Sequence, residues 1–209
     1  MASLDEIGIK YGTDKSSLHH DYLSLYEKRL SEFGGAFTLF EIGVLKGGSV
    51  KTWSEHFPHA KIVGIDVDPT CAQYDGGNIS IRIGDQSDVS LWIDVVQEFG
   101  RPQVFIDDGS HRWDHQITTF QTMFPILRPG GVYIIEDIDT SFDGYLKEAA
   151  FDGFSSISAY DYVVKLGRML VGDVAVQDEK PFDLFIANNY LKVESIEMAR
   201  RTCIIRKRA

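Results

Sequence analysis

Val104-Phe105-Ile106-Asp107-Asp108-Gly109-Ser110-His111 and, downstream, Val132-Tyr133-Ile134-Ile135-Glu136-Asp137 decide how this chain is read. In each, a short apolar run reads as a buried parallel strand and stops abruptly at two acids. Neighbouring strands run about 5 Å apart. If these two are neighbours, Asp108, Glu136 and Asp137 converge on one small volume, with His111 three residues past Asp108. Carboxylates that close repel one another unless a cation lies between them. An all-oxygen ligand set suits a hard divalent ion such as Mg2+, and His111 is then a candidate base beside it. Asp-Gly-Ser alone is an ordinary turn. The second acid pair, at the next strand end, is what points to a metal or substrate role.

The rest of the chain alternates strands and helices. Strands are expected at 36–43, 61–66, 79–84, 103–107 and 131–136, and helices at 49–57, 89–99 and 113–127, the last closing at Arg128-Pro129-Gly130-Gly131. Short connections between alternating elements imply an α/β fold whose parallel sheet carries helices on both faces. Ligands in such sheets bind beyond the carboxyl ends of the strands, where every acid named above lies. The last third differs. A helix over 158–171 precedes strands at 192–198 and 202–207, joined tightly at Ala199-Arg200-Arg201 and therefore antiparallel. The polar segment before Phe33 reads as helical from about residue 21 to residue 31. Residues 1–35 are expected as a helical cap or lid, and 36–209 as the one catalytic domain.

The glycine loop Glu41-Ile42-Gly43-Val44-Leu45-Lys46-Gly47-Gly48-Ser49 narrows the cofactor. Leu45 breaks the GxGxxG dinucleotide fingerprint, and Ser49 stands where a P-loop needs lysine. What remains is a slim loop with an acid before it, suited to a ligand bearing an amine and no phosphates. Asp66, ending the second strand, can accept from ribose hydroxyls. Asp85, followed by Gln86, can accept from an adenine amino group. Amino acid, ribose and adenine together describe S-adenosylmethionine. The cofactor-contacting set expected on this reading is Tyr11, Glu41, Gly43, Ser49, Asp66, Asp85, Gln86 and Asp107, with Tyr11 and Lys15 in a lid.

Composition bounds the partners. The 209 residues suffice for one well-buried domain, and a formal net charge of -10 argues against a nucleic-acid backbone as partner. Cys71 and Cys203 stand far apart without metal-type spacing, which suits free buried thiols in a reducing compartment. No apolar run resembles a signal peptide or a membrane span, so a cytoplasmic protein is expected, with no membrane partner. The sequence leaves room for a homo-oligomer.

Several motifs, in order, resemble the class I S-adenosylmethionine-dependent methyltransferases, and among them the Mg2+-dependent sugar O-methyltransferases that decorate macrolides. Lys10-Tyr11-Gly12-Thr13-Asp14-Lys15 is similar to that family's N-terminal signature, and Phe40-Glu41-Ile42-Gly43-Val44 to its glycine loop. Asp107-Asp108-Gly109-Ser110-His111 with His115-Gln116 resembles its metal and base segment. Gly130 to Asp137 with Thr140-Ser141 is similar to its next strand end, and Ser195-Ile196 with Ile204-Ile205-Arg206-Lys207 to its closing hairpin. Glu197-Met198-Ala199 departs from the aromatic-rich run common there. The resemblance implies a Rossmann-like methyltransferase sheet, mostly parallel with an antiparallel C-terminal hairpin. It further implies Mg2+ (or another divalent cation) on Asp108, Glu136 and Asp137, with His111 as general base.

The activity so implied is methyl transfer from S-adenosylmethionine to a sugar hydroxyl of a glycosylated natural product or sugar nucleotide, a small-molecule acceptor. An imidazole titrating near about 6.5 is mostly neutral at pH 7 and can take the hydroxyl proton. His115 is the rival base. Phe142, Tyr145, Phe151 and Phe154, clustered after the metal acids, suit an acceptor wall as well as core packing. Three readings compete: a catechol or phenolic acceptor on the same fold, a metal-dependent hydrolase, and a non-catalytic cofactor-binding module.

Overall fold

The computed structural model describes residues 2–142, 151–172 and 183–209, and the chain divides into two compact units, Met1–Pro102 and Gln103–Ala209. The first unit runs α1 (Leu4–Tyr11), α2 (Leu23–Leu30), β1 (Thr38–Ile42), α3 (Gly48–His56), β2 (Lys61–Asp66), β3 (Ile79–Ile83) and α4 (Val89–Phe99). Its strands lie in the order β3-β2-β1 and all pair in parallel. Leu39, Phe40, Ile62, Val63 and Ile65 are fully buried, the near-continuous burial that a parallel strand covered on both faces requires.

The second unit contains β4 (Val104–Asp107), α5 (Trp113–Ile126), β5 (Val132–Ile135), α6 (Ala159–Gly172), α7 (Leu184–Asn189), β6 (Val193–Ala199) and β7 (Thr202–Lys207). Strand order is β4-β5-β7-β6. The β4–β5 pair is parallel; β5–β7 and β6–β7 are antiparallel. Its core is aromatic. Phe105 stacks on Tyr133 at 4.8 Å, and Phe120 meets the Tyr133 ring edge-to-face at 5.1 Å.

The mostly parallel strands closed by an antiparallel hairpin follow the sequence reading, with boundaries within two residues. The N-terminal segment differs from it. Besides the expected helix at 23–30, Leu4–Tyr11 is helical and opens with a capping box, in which the Ser3 hydroxyl accepts from the Glu6 N–H and the Glu6 carboxylate accepts from the Ser3 N–H. Leu4 and Ile7 bury that helix's apolar side. Among the described residues no helix is long and apolar enough to cross a membrane.

Helix α5 ends on an unusual cap. The Lys207 ammonium, nearly buried, donates to the carbonyls of Phe124, Pro125 and Leu127 at 2.9, 2.8 and 2.7 Å. These are carbonyls that a helix end leaves without intrahelical partners, and a cation there also meets the negative end of the helix dipole. Lys207→Met keeps the aliphatic stem and removes the cap. We expect it to cost about 3 kcal/mol, seen in chemical denaturation as a lower midpoint with unchanged slope. An unchanged midpoint would deny the cap this role.

Candidate active site

In the first unit, the loop from β1 to α3 is held by carboxylates. Asp66, at the end of β2, accepts from the Val44 and Leu45 N–H groups at 2.8 and 2.9 Å through one oxygen, and from the Asp68 N–H at 2.9 Å through the other. Burial works to raise its pKa. The Asp68, Leu45 and Val44 amides outweigh that and hold it below the ordinary value. The loop needs these anchors because Gly43, Leu45 and Gly47 all take left-handed backbone conformations. A Cβ at Gly47 would stand 2.8 Å from the Tyr74 ring, so glycine is required there.

Glu41 lies below this loop, fully buried. Its carboxylate accepts from the Ser49 hydroxyl at 2.8 Å and the Trp53 indole N–H at 3.1 Å, and pairs with the equally buried Lys15 ammonium at 3.6 Å. Glu41 and Ser49, both expected to face the cofactor, are hydrogen-bonded to each other, and Glu41 is paired with Lys15. Tyr11 donates its hydroxyl to Glu55 at 2.6 Å on the outer side of α3. Asp85 accepts from the Ser87 N–H and hydroxyl, and the carbonyl of buried Gln86 accepts from Trp92.

In the second unit, the register Asp107↔Ile135 brings the two acid pairs to the ends of adjacent strands. Each pair divides. Asp107 is fully buried and accepts from the Tyr133 hydroxyl at 3.2 Å. Burial, then the charge of Asp107, push the Tyr133 hydroxyl pKa well up. Glu136 is likewise buried, and its backbone carbonyl accepts from the Gln116 amide. Asp108 and Asp137 instead meet His111: one ligand atom from each lies within 4.8 Å of the others. The His111 Nε2 stands 3.6 Å from Asp137 Oδ2. Of the expected metal set the structure therefore brings together Asp108 and Asp137 with His111, and Glu136 is outside that group.

His111 has φ 58°, and its carbonyl accepts from the Thr140 hydroxyl at 3.1 Å. The Trp113 indole N–H donates to the Thr140 carbonyl, so the segments after β4 and β5 are tied together. His115 Nδ1 lies 2.9 Å from the Ser110 hydroxyl, on α5 and outside the group. Two carboxylates and an imidazole within that span fit a divalent ion, and the buried His111 Nδ1, which lacks a hydrogen-bond partner, is consistent with a site built for more than protein atoms.

The aromatic segment is only partly described. Phe142 rests on Tyr160 at 4.8 Å and stays half exposed. Phe154 is 95% exposed although its N–H is pinned to Asp114. The Phe151 carbonyl accepts from the Trp113 N–H, and Tyr145 lies outside the described residues. Two residues escaped the sequence reading. Lys15, read as part of a lid, is buried against Glu41; and Arg201, read only as a turn residue, contacts Asp137 at 3.0 Å and Asp139 at 2.9 Å. The motif around Lys15 hinted at the first; no local signal marks the second.

No family model matches the chain. It is 33% identical over 150 residues to the 8-demethyl-8-alpha-L-rhamnosyl tetracenomycin-C 2'-O-methyltransferase of Streptomyces olivaceus, covering 68% of this chain and 39% of that protein. It is 32% identical over 147 residues to the mycinamicin VI 2''-O-methyltransferase of Micromonospora griseorubida, covering 66% and 37%. The chain thus spans about two fifths of the length of the curated relatives it matches. A solved structure of the MycE methyltransferase with Mg, SAH and mycinamycin VI superposes with a TM-score of 0.82 at 24% identity, over 99% of this chain and 55% of that one. A putative caffeoyl-CoA O-methyltransferase from Staphylococcus aureus gives 0.56 at 12% identity, over 100% and 93%. The chain has the class I methyltransferase fold and is a relative of the sugar O-methyltransferases that act on macrolides and tetracenomycins.

Proposed function

We propose that this chain transfers a methyl group from S-adenosylmethionine to a sugar hydroxyl of a glycosylated small molecule, with a divalent cation, Mg2+ in the simplest case. The observation that carries the reading is the Asp108–His111–Asp137 group at the ends of β4 and β5, in a chain related to sugar O-methyltransferases. Asp108 and Asp137 would hold the ion, with Glu136 a further proposed ligand and Asp107 proposed to act toward the cofactor. Bound there, the ion would supply Lewis-acid stabilisation of the hydroxyl oxygen as its proton leaves. His111 would take that proton, its ring aimed by a left-handed backbone and by the Thr140 hydrogen bond to its carbonyl. Exposed Phe142 and Phe154 suit the apolar part of the acceptor.

For the cofactor, Asp66 and the Gly43 loop are the proposed contacts to ribose and methionine, with Tyr11, Glu41, Ser49, Asp85 and Gln86 completing the expected set. Asp66 has both oxygens on backbone amides, yet a carboxylate offers about four acceptor sites. Residues 1–35 are proposed as a cap. A Cβ at Gly48 would stand 3.1 Å from the Thr13 backbone, so this segment is packed tightly on the start of α3.

Three outcomes test the reading. Asp66→Asn should weaken S-adenosylhomocysteine roughly tenfold in calorimetry and speed hydrogen exchange at Val44 and Leu45. Because the Asp66 pKa is depressed below 3.8, its anchoring is present above that value and lost as pH falls through the folded one. That acid-induced loss should be absent in the variant; equal exchange in both proteins would remove Asp66 as the anchor.

Methyl transfer should stop in EDTA and return with Mg2+. Asp137→Asn should abolish the return while leaving S-adenosylhomocysteine affinity within about threefold, since the ion serves the acceptor. Full turnover in chelator would leave the fold and overturn the chemistry.

His111→Ala should lower kcat by at least about 100-fold at near-constant cofactor affinity. His115→Ala should cost far less, because that ring is engaged with Ser110. The reverse ranking would exchange their roles.

A further inference from the structure

Arg201 follows β6 in the tight turn before β7, beside a second arginine with a different fate. Arg200 is exposed. Arg201 has φ 58°, and its guanidinium spans two acids of the neighbouring loop. Nη2 lies 3.0 Å from Asp137 Oδ1, and Nε donates to Asp139 Oδ2 at 2.9 Å. The same residue's carbonyl accepts from the Ile138 N–H at 3.0 Å, and the next residue, Thr202, donates its hydroxyl to the Ile135 carbonyl at 3.0 Å. The turn therefore grips the segment from the end of β5 through Asp139 at four points.

Backbone conformation singles out the same place. Among the described non-glycine residues five have positive φ: Asp21, Leu45, His111, Asp137 and Arg201. The last three are joined through one carboxylate, with Arg201 on Asp137 Oδ1 and His111 facing Oδ2. Left-handed backbone is costly for residues with a Cβ and persists where surrounding contacts over-determine it. Three such residues meeting at a single carboxylate mark that side chain as held in a required orientation.

We propose that Arg201 is a positioning residue, which turns Asp137 so that Oδ2 faces Asp108 and His111 and thereby organises the divalent-cation site from the β6–β7 turn. This rests on the metal reading above. Two effects of the guanidinium have opposite signs. Its positive charge repels a cation nearby, so on charge alone its loss would tighten metal binding. Its planar fork fixes a ligand's direction, and loss of such an outer contact typically weakens metal affinity by about 10- to 100-fold. Lysine separates the two, since it keeps the charge but cannot bridge two carboxylates with a rigid fork.

The test is Mn2+ binding to the full chain, without cofactor or acceptor, followed by electron paramagnetic resonance and calorimetry. Arg201→Lys should weaken Mn2+ by about tenfold or more while thermal stability changes little. Asp139→Asn, which removes the second anchor of the guanidinium, should weaken it less. The double variant should resemble Arg201→Lys alone, because both act through one contact. Arg200→Ala should bind as the wild type does. In turnover assays, raised Mg2+ should restore much of the Arg201→Lys rate, which a merely structural lesion would not permit. Unchanged or tighter Mn2+ binding by Arg201→Lys, with a binding wild type, overturns the positioning role alone. A wild type that binds no Mn2+ overturns the metal reading and this inference with it.

Discussion

The parallel ladder between β4 and β5 is the constraint on which the acid site depends. Pairing Asp107 with Ile135 makes two strands of equal length end at the same level. Successive side chains in a strand point to opposite faces. In this register Asp107 stands opposite Ile135, so the two acid pairs are offset by one residue, and Asp137 takes a left-handed backbone (φ 49°) just past its strand. Asp107, Glu136 and Asp137 are buried, and Asp108 and Asp137 meet at His111. A register slip of one residue would change which acids stand level. The interlocked rings of Phe105, Tyr133 and Phe120 below the acids oppose such a slip.

Much of this architecture could be read from residue order. Strands buried on both faces appear as apolar runs, as in β1, β2, β4 and β5, and the final hairpin shows in its alternation and tight turn. Helix α1 lies within the segment expected to be a helical cap, but its eight residues carry too little periodicity to set its bounds, although Ser3 and Glu6 spell its capping box. The site was legible in kind and incomplete in detail. Residue order places Asp108, Glu136 and Asp137 at adjacent strand ends, and the structure brings Asp108 and Asp137 to His111. Residue order does not show a side chain arriving from elsewhere. Lys15 reaches Glu41 across 26 positions and Arg201 reaches Asp137 across 64, and neither partnership leaves a local pattern.

The acidic balance of the chain acquires a second meaning in the structure. Asp66, Asp68, Asp85, Asp88 and Asp183 all accept backbone N–H groups at turns or helix starts. Short acidic side chains are good at this because they reach amides two or three residues away. Part of the net negative charge is thus used inside loops.

The two thiols have a practical consequence. Cys71 and Cys203 are both buried, and burial, with nearby acids adding to it, pushes their pKa values up to about 11 and about 12. The thiolate is the form that reacts with alkylating reagents and disulfides, so at neutral pH both sulfurs are chemically quiet in the folded protein. An exposed position such as Phe154 can therefore be replaced by cysteine and labelled selectively with the native pair left in place. Alkylation of Cys71, whose sulfur donates to the Leu45 carbonyl in the glycine loop, would in turn report that the loop has opened.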